Sequence, residues 1–203
     1  MDHSKSRVDP RILRTRQLIK DALIDLLQEM DMNKITVNRI AERATINRVT
    51  FYLHYDDIQD MMEKMAQEMA EDIEGIITRT KTTQDSGEDI AWLNLVALLE
   101  YIAENAKFYK VVLGTRRTPV FTERLLTILT KRITESIENN PKLVKKGIQN
   151  EIVIWYSSSA LIGTIVAWLR KDMPYTPQYL AKQMYTLFQI NGNHGDGSHA
   201  SEA

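Results

Sequence analysis

"ITVNRIAERATINRVTFYLHYDD" occupies residues 35–57, and its reading decides the fold. Thr36 stands where a side-chain hydroxyl caps a helix, and Ile40, Ala41 and Ala44 give the following segment one apolar side. Asn47 is suited to cap a second short helix over about 48–54, with Phe51 turned inward toward Ile40 and Ile46. Two short helices joined by a tight turn form a helix-turn-helix arrangement. Upstream, Ile19, Ala22, Leu23, Leu26, Leu27 and Met30 keep the rhythm of an amphipathic helix that starts at Asp9 and Pro10 and carries Arg14, Arg16 and Lys20 on its other face.

Downstream, Asp56 or Asp57 opens a long fourth helix marked by Ile58, Met62, Met65, Met69, Ile73 and Ile76. It ends near "TRTKTTQDSGED" (78–89), a polar loop. Further helices are predicted over about 90–105, 107–114, 119–139, 142–171 and 176–190, with prolines at or between their ends. The predicted organisation is a helix-turn-helix unit over 1–55, a larger helical unit over 56–190 and a disordered tail over 191–203. Glycine and proline are few among 203 residues that are 43% hydrophobic, so the expected class is all-α.

A helix-turn-helix offers its second helix to the DNA major groove, while flanking groups hold phosphates. Arg48, Val49, Thr50 and Tyr52 cluster where they reach base edges: arginine pairs with guanine, and valine or threonine methyls touch thymine. Thr36, Tyr52 and His54 are placed to donate to phosphate oxygens, beside the free N–H groups expected at the start of the fourth helix. Residues 1–50 hold ten Lys and Arg against seven Asp and Glu within a chain of net charge −1, which suits such a partner without requiring it.

Residues 35–57 resemble the DNA-binding signature of the TetR family of bacterial regulators, whose segment reads close to "FYxHF", and the resemblance extends over about 12–62. It implies base or adjacent backbone contacts for Arg48, Val49, Thr50 and Tyr52, and phosphate contacts for Thr36 and His54. Three positions depart from the family. Thr45 replaces the usual turn glycine, so the turn avoids positive φ or is strained. Val49 replaces a frequent glycine and adds bulk at the groove. Ile58 replaces a phosphate-anchoring lysine, which removes one charged contact.

In the 142–171 stretch, Ser159, Ala160, Gly163 and Ala167 form a small-residue face open to close helix approach, either by a second copy or by a helix of the same subunit. The resemblance implies dimerisation through 142–171 and 176–190. "IGTIVAWLRKDMPYTPQYLAKQM" (162–184) is similar to the carboxyl-terminal pattern of one TetR subgroup. "LLEYIAENAKFYKVVL" (98–113) resembles a segment of regulators of dihydroxyacetone-kinase genes. Trp92, Tyr101, Phe108, Tyr109, Trp155 and Tyr156, with Met65 and Met69, are candidates to line a cavity between the fourth and eighth helices, although any one of them is more commonly core. Glu100, Glu104 and Glu151 are candidate contacts for a cationic compound.

The resulting expectation is a homodimeric, ligand-responsive repressor on a double-stranded, palindromic DNA operator, with an unknown small-molecule effector. A protein partner for the larger unit is the alternative, and a helical enzyme a more remote one. Without cysteine, GxSxG, HExxH or a Walker motif, no cofactor, metal or catalytic residue is expected, and His194 and His199 are read as tail rather than ligands. The apolar run 152–169 contains three serines and reads as a buried helix, not a membrane span. The start of the chain lacks an apolar signal region, so a cytoplasmic location is expected.

Overall fold

The computed structural model describes residues 9–82, 90–115, 118–139 and 148–193. All regular elements among them are helical: α1 (Pro10–Glu29), α2 (Val37–Arg43), α3 (Arg48–Tyr52), α4 (Ile58–Thr82), α5 (Ile90–Glu104), α6 (Ala106–Val112), α7 (Pro119–Asn139), α8 (Asn150–Arg170) and α9 (Pro177–Asn193), with a 3-10 turn at Met32–Lys34. The start signal read at Asp9 and Pro10 is realised: the Asp9 carboxylate accepts from the Arg11 N–H at 2.8 Å, and Pro10, which lacks an N–H to satisfy, occupies the first turn.

The helices pack into one connected apolar core. α1 lies on α2 and α6, α2 on α3, α4 on α5 and α7, α5 on α9, and α8 on α7 and α6. α4 contributes most. Met61, Met65, Ala66, Met69 and Ile73 are almost fully covered, whereas Ile58 and Ile76, expected on that face, are only partly buried. The buried stripe drifts around the helix because 3.6 residues per turn match neither a strict three- nor four-residue repeat.

Several expected boundaries shift. Helix α4 runs through Thr82, so the first part of the loop predicted at 78–89 is helical, and 83–89 lie outside the described residues. The eighth helix, predicted from residue 142, begins at Asn150, and 140–147 are likewise outside. α9 continues through Asn193, three residues into the predicted tail, whose remainder, including His194 and His199, lies outside as well.

The expectation of a buried helix at 152–169 needs correction. α8 is long and apolar enough to cross a membrane by length and composition, with a mean hydropathy of 1.7, yet only 28% of that window is buried. Ser158, Leu161, Ile165, Trp168 and Leu169 face the neighbouring helices, while Ile152, Trp155, Tyr156, Ser159, Gly163 and Ala167 are exposed. The apolar residues encircle the helix, but only one side has neighbours among the described residues. The Ser158 hydroxyl is accommodated in the core by donating to the Ile154 carbonyl at 2.7 Å.

Candidate nucleic-acid interface

The reading head is held by local hydrogen bonds encoded in the opening motif. Thr36 Oγ1 accepts from the Arg39 N–H at 3.3 Å at the start of α2. At its end, the Thr45 N–H donates to the Glu42 carbonyl at 3.1 Å and the Ile46 N–H to the Ala41 carbonyl at 3.0 Å. This is the Schellman pattern, which places the residue after the cap in the left-handed region. Thr45 occupies it with φ 56°, so the departure from glycine is met by strain. Asn47 Oδ1 then accepts from the Val49 N–H at 2.9 Å and starts α3.

Phe51 anchors α3: it is fully buried, with its ring 5.6 Å from that of Tyr55. The opposite side carries Arg48, Val49, Tyr52 and Leu53. Their spacing of one, four and five residues makes one stripe. Val49 is 66%, Tyr52 45% and Leu53 76% exposed. Arg48 Nη2 donates to the Tyr52 hydroxyl at 3.0 Å, and its guanidinium lies 5.5 Å from the Tyr52 ring centre, which pre-orders two long side chains toward solvent. Thr50 is half-buried beside them. Leu53 was missed as a site residue, although its place four after Val49 puts it on the same stripe.

His54 is half-buried behind this surface. Burial first, and then the Arg16 charge, hold its pKa below the usual imidazole value, so it is neutral at pH 7 and can donate one N–H to a phosphate.

The start of α4 differs from expectation. Asp57 Oδ1 accepts from the Asp60 N–H at 2.8 Å, and Asp60 Oδ2 accepts from the Asp56 N–H at 3.0 Å. Carboxylates therefore already occupy amides foreseen for phosphate, and Asp56, Asp57 and Asp60 make this end acidic. The Lys64 ammonium, 2.8 Å from Asp60, holds the Asp60 carboxyl below the usual carboxylate range. Ile58, in the place of a lysine, is half-buried. Lys34 and Arg39 are exposed cations, whereas Arg43 is engaged by both Glu29 oxygens at 2.8 and 2.6 Å.

The cavity candidates separate into two groups. Met65, Met69, Tyr101, Phe108 and Tyr109 line a cleft of about 350 Å³, but it lies between α1, α4, α5 and α6, not between α4 and α8. Trp155 and Tyr156 are 64% and 61% exposed on the outer side of α8, and Trp92 packs against Tyr185 with ring centres 5.7 Å apart. α8 turns these two aromatics away from the bundle because Ser158, Leu161 and Ile165 take its inner face. Of the three glutamates considered for a cationic compound, Glu104 lines the cleft, Glu100 accepts from Gln178 of α9, and Glu151 is exposed at the start of α8.

Ser159, Gly163 and Ala167 share the exposed side of α8 with Trp155 and Tyr156, and Ala160 is half-buried at its edge. A Cβ added at Gly163 would meet nothing within 4 Å.

Comparison with known proteins agrees with this geometry. Residues 19–65 match the family described as "Bacterial regulatory proteins, tetR family", and residues 92–189 match "Transcriptional regulator C-terminal region" of the same family. An uncharacterized HTH-type transcriptional regulator, YxbF of Bacillus subtilis, is 33% identical over 176 residues, covering 83% of this chain and 43% of that protein. The HTH-type dhaKLM operon transcriptional activator DhaS of Lactococcus lactis is 28% identical over 99 residues, 48% of each chain. In each case the match spans less than half the length of the relative. NalD of Pseudomonas aeruginosa, described as the secondary repressor of the MexAB-OprM multidrug efflux pump, has the same fold at a TM-score of 0.70 and 14% identity, over 91% of this chain and 100% of that one. On the reading head, its geometry and these matches together, the chain belongs to the TetR family of bacterial transcriptional regulators.

Proposed function

We propose that the chain regulates transcription as a homodimer that reads a palindromic operator in double-stranded DNA and responds to a small molecule. The observation that carries this reading is the exposed stripe Arg48, Val49, Tyr52 and Leu53 on a helix anchored by Phe51 and capped by Asn47. A hydrogen-bonding arginine beside apolar methyls is chemistry for guanine and thymine edges in the major groove. Thr36 and His54 supply neutral donors for phosphates, and Lys34 and Arg39 add charge.

Two-fold symmetry supplies the second head. The exposed face of α8, with the exposed Tyr175, Tyr179 and Leu187 in and before α9, is the surface a partner copy covers. The two heads then meet half-sites roughly one helical turn, 34 to 36 Å, apart. Repression by blocking a promoter demands least of a compact dimer. Activation through a protein partner is the second reading, favoured by the matched relative that is named an activator.

Selection of bound duplexes from a random pool tests the reading. The expected result is a palindromic consensus that the double variant Arg48→Ala, Tyr52→Ala no longer enriches. An unpatterned pool, or an unaffected variant, refutes it.

A further inference from the structure

The cleft between α1, α4, α5 and α6 joins the reading head to the remaining helices, and its volume of about 350 Å³ lies within the range of small-molecule sites. Its floor is apolar: Ile24, Met65 and Met69 are buried, and Tyr109 is 1% exposed. Phe108, Tyr109 and Tyr101 all line it and stand edge to face, with ring centres 5.2 and 6.0 Å apart.

The walls are acidic. Asp21, Glu68, Asp72 and Glu104 line the cleft against two cations, Lys20 and Lys107. Both lysines are already engaged: Lys20 pairs with Glu68 across α1 and α4, and Lys107 Nζ lies 2.7 Å from Asp25 across α6 and α1. Tyr101 donates to Asp72 at 3.0 Å, and Gln17 to Asp21 at 2.9 Å. Glu104 has no cation in ion-pair reach among the described residues.

We propose that this cleft binds a small organic cation with an apolar body, and that occupancy sets the angle of α1, and with it the reading head, against α4 and α6. An anionic guest meets uncompensated carboxylates, and a neutral one leaves them unused. A cation gains from the carboxylates and the aromatic rings that line the cleft. The same guest competes with Lys20 for Glu68, the carboxylate that ties α1 to α4, so its binding and the head's position are coupled. The proposal rests on the ligand-responsive reading above and adds the place and chemical class of the ligand.

The test uses three probes of one skeleton, 2-phenylethylammonium, 2-phenylethanol and phenylacetate, titrated into the full chain labelled with ¹³C at its methionine methyls. The ammonium ion is expected to shift Met65 and Met69, to bind about tenfold more tightly than the alcohol, and to lose that advantage in Asp21→Asn, Glu104→Gln, a variant changed only at exposed side chains. It is also expected to change affinity for the selected palindrome. Equal binding of the three probes, no ammonium binding at millimolar concentration, shifts that spare Met65 and Met69, or operator affinity indifferent to the bound cation would each overturn the proposal. A chain that selects a palindrome but shows no cation preference keeps its DNA-reading role and loses this one.

Discussion

Thr45 shows how a single residue can be tolerated against its own preference. The Schellman turn demands a left-handed backbone after α2, and a β-branched side chain there is strained by about 1 to 2 kcal/mol. Thr45→Gly removes the strain but adds freedom to the unfolded chain, which offsets about 0.5 to 1 kcal/mol. The net expectation is stabilisation of about 0.5 kcal/mol in urea titrations, with operator affinity unchanged. His54 is the second case. Its folded pKa is depressed below 6.5 by burial and by Arg16, so the unfolded chain binds more protons just below that pH. The stabilisation is therefore fully present above pH 6.5 and is lost as pH falls through the folded value. Stability measured against pH should show this slope in the parent and not in His54→Gln.

At the scale of elements, α3 is five residues long and cannot persist on propensity alone. Its existence depends on the Asn47 cap in front and on Phe51 beneath. Asn47→Ala is expected to cost about 1 kcal/mol of stability, and to weaken operator binding by more than that loss alone would, because the fraying segment is the one proposed to read DNA. Gel-shift and denaturation measurements on one preparation separate the two effects. The corner after α6 is constrained differently. Gly114 lies so close to the Lys110 carbonyl that an added Cβ would sit 2.3 Å from its oxygen, while the Gly114 carbonyl accepts from Arg170 Nε of α8 at 2.7 Å. Gly114→Ala is thus expected to destabilise by about 1 to 3 kcal/mol in the same denaturation assay, by displacing α6 from α8.

For the whole molecule the decisive surface is the outer side of α8. Ile152 and Trp155 are 53% and 64% exposed, beside small residues that let another helix come close. Such a patch on a monomer marks an interaction surface. Ile152→Asp with Trp155→Asp is expected to yield monomers in sedimentation and to lower operator affinity, since the two heads no longer bind as one unit, while leaving the buried face of α8 and the fold intact. An unchanged sedimentation coefficient would place the dimer contact elsewhere.

Local chemistry made the reading head legible in the sequence. Caps and turn in residues 35–57 act over at most five residues, so Thr36 and Asn47 declare their roles by spacing, and the helical periodicity of α1 and α4 does the same for the all-α class. Position in three dimensions was another matter. Trp155 and Tyr156 read as cavity residues yet point outward, because which side of an apolar helix is covered depends on the helices that arrive from elsewhere in the chain. The cleft brings together residues of α1 with those of α4, α5 and α6, up to about ninety positions apart in the sequence, a separation no periodicity spans. Only the packing of distant helices decided where that cleft lies and which charges face it.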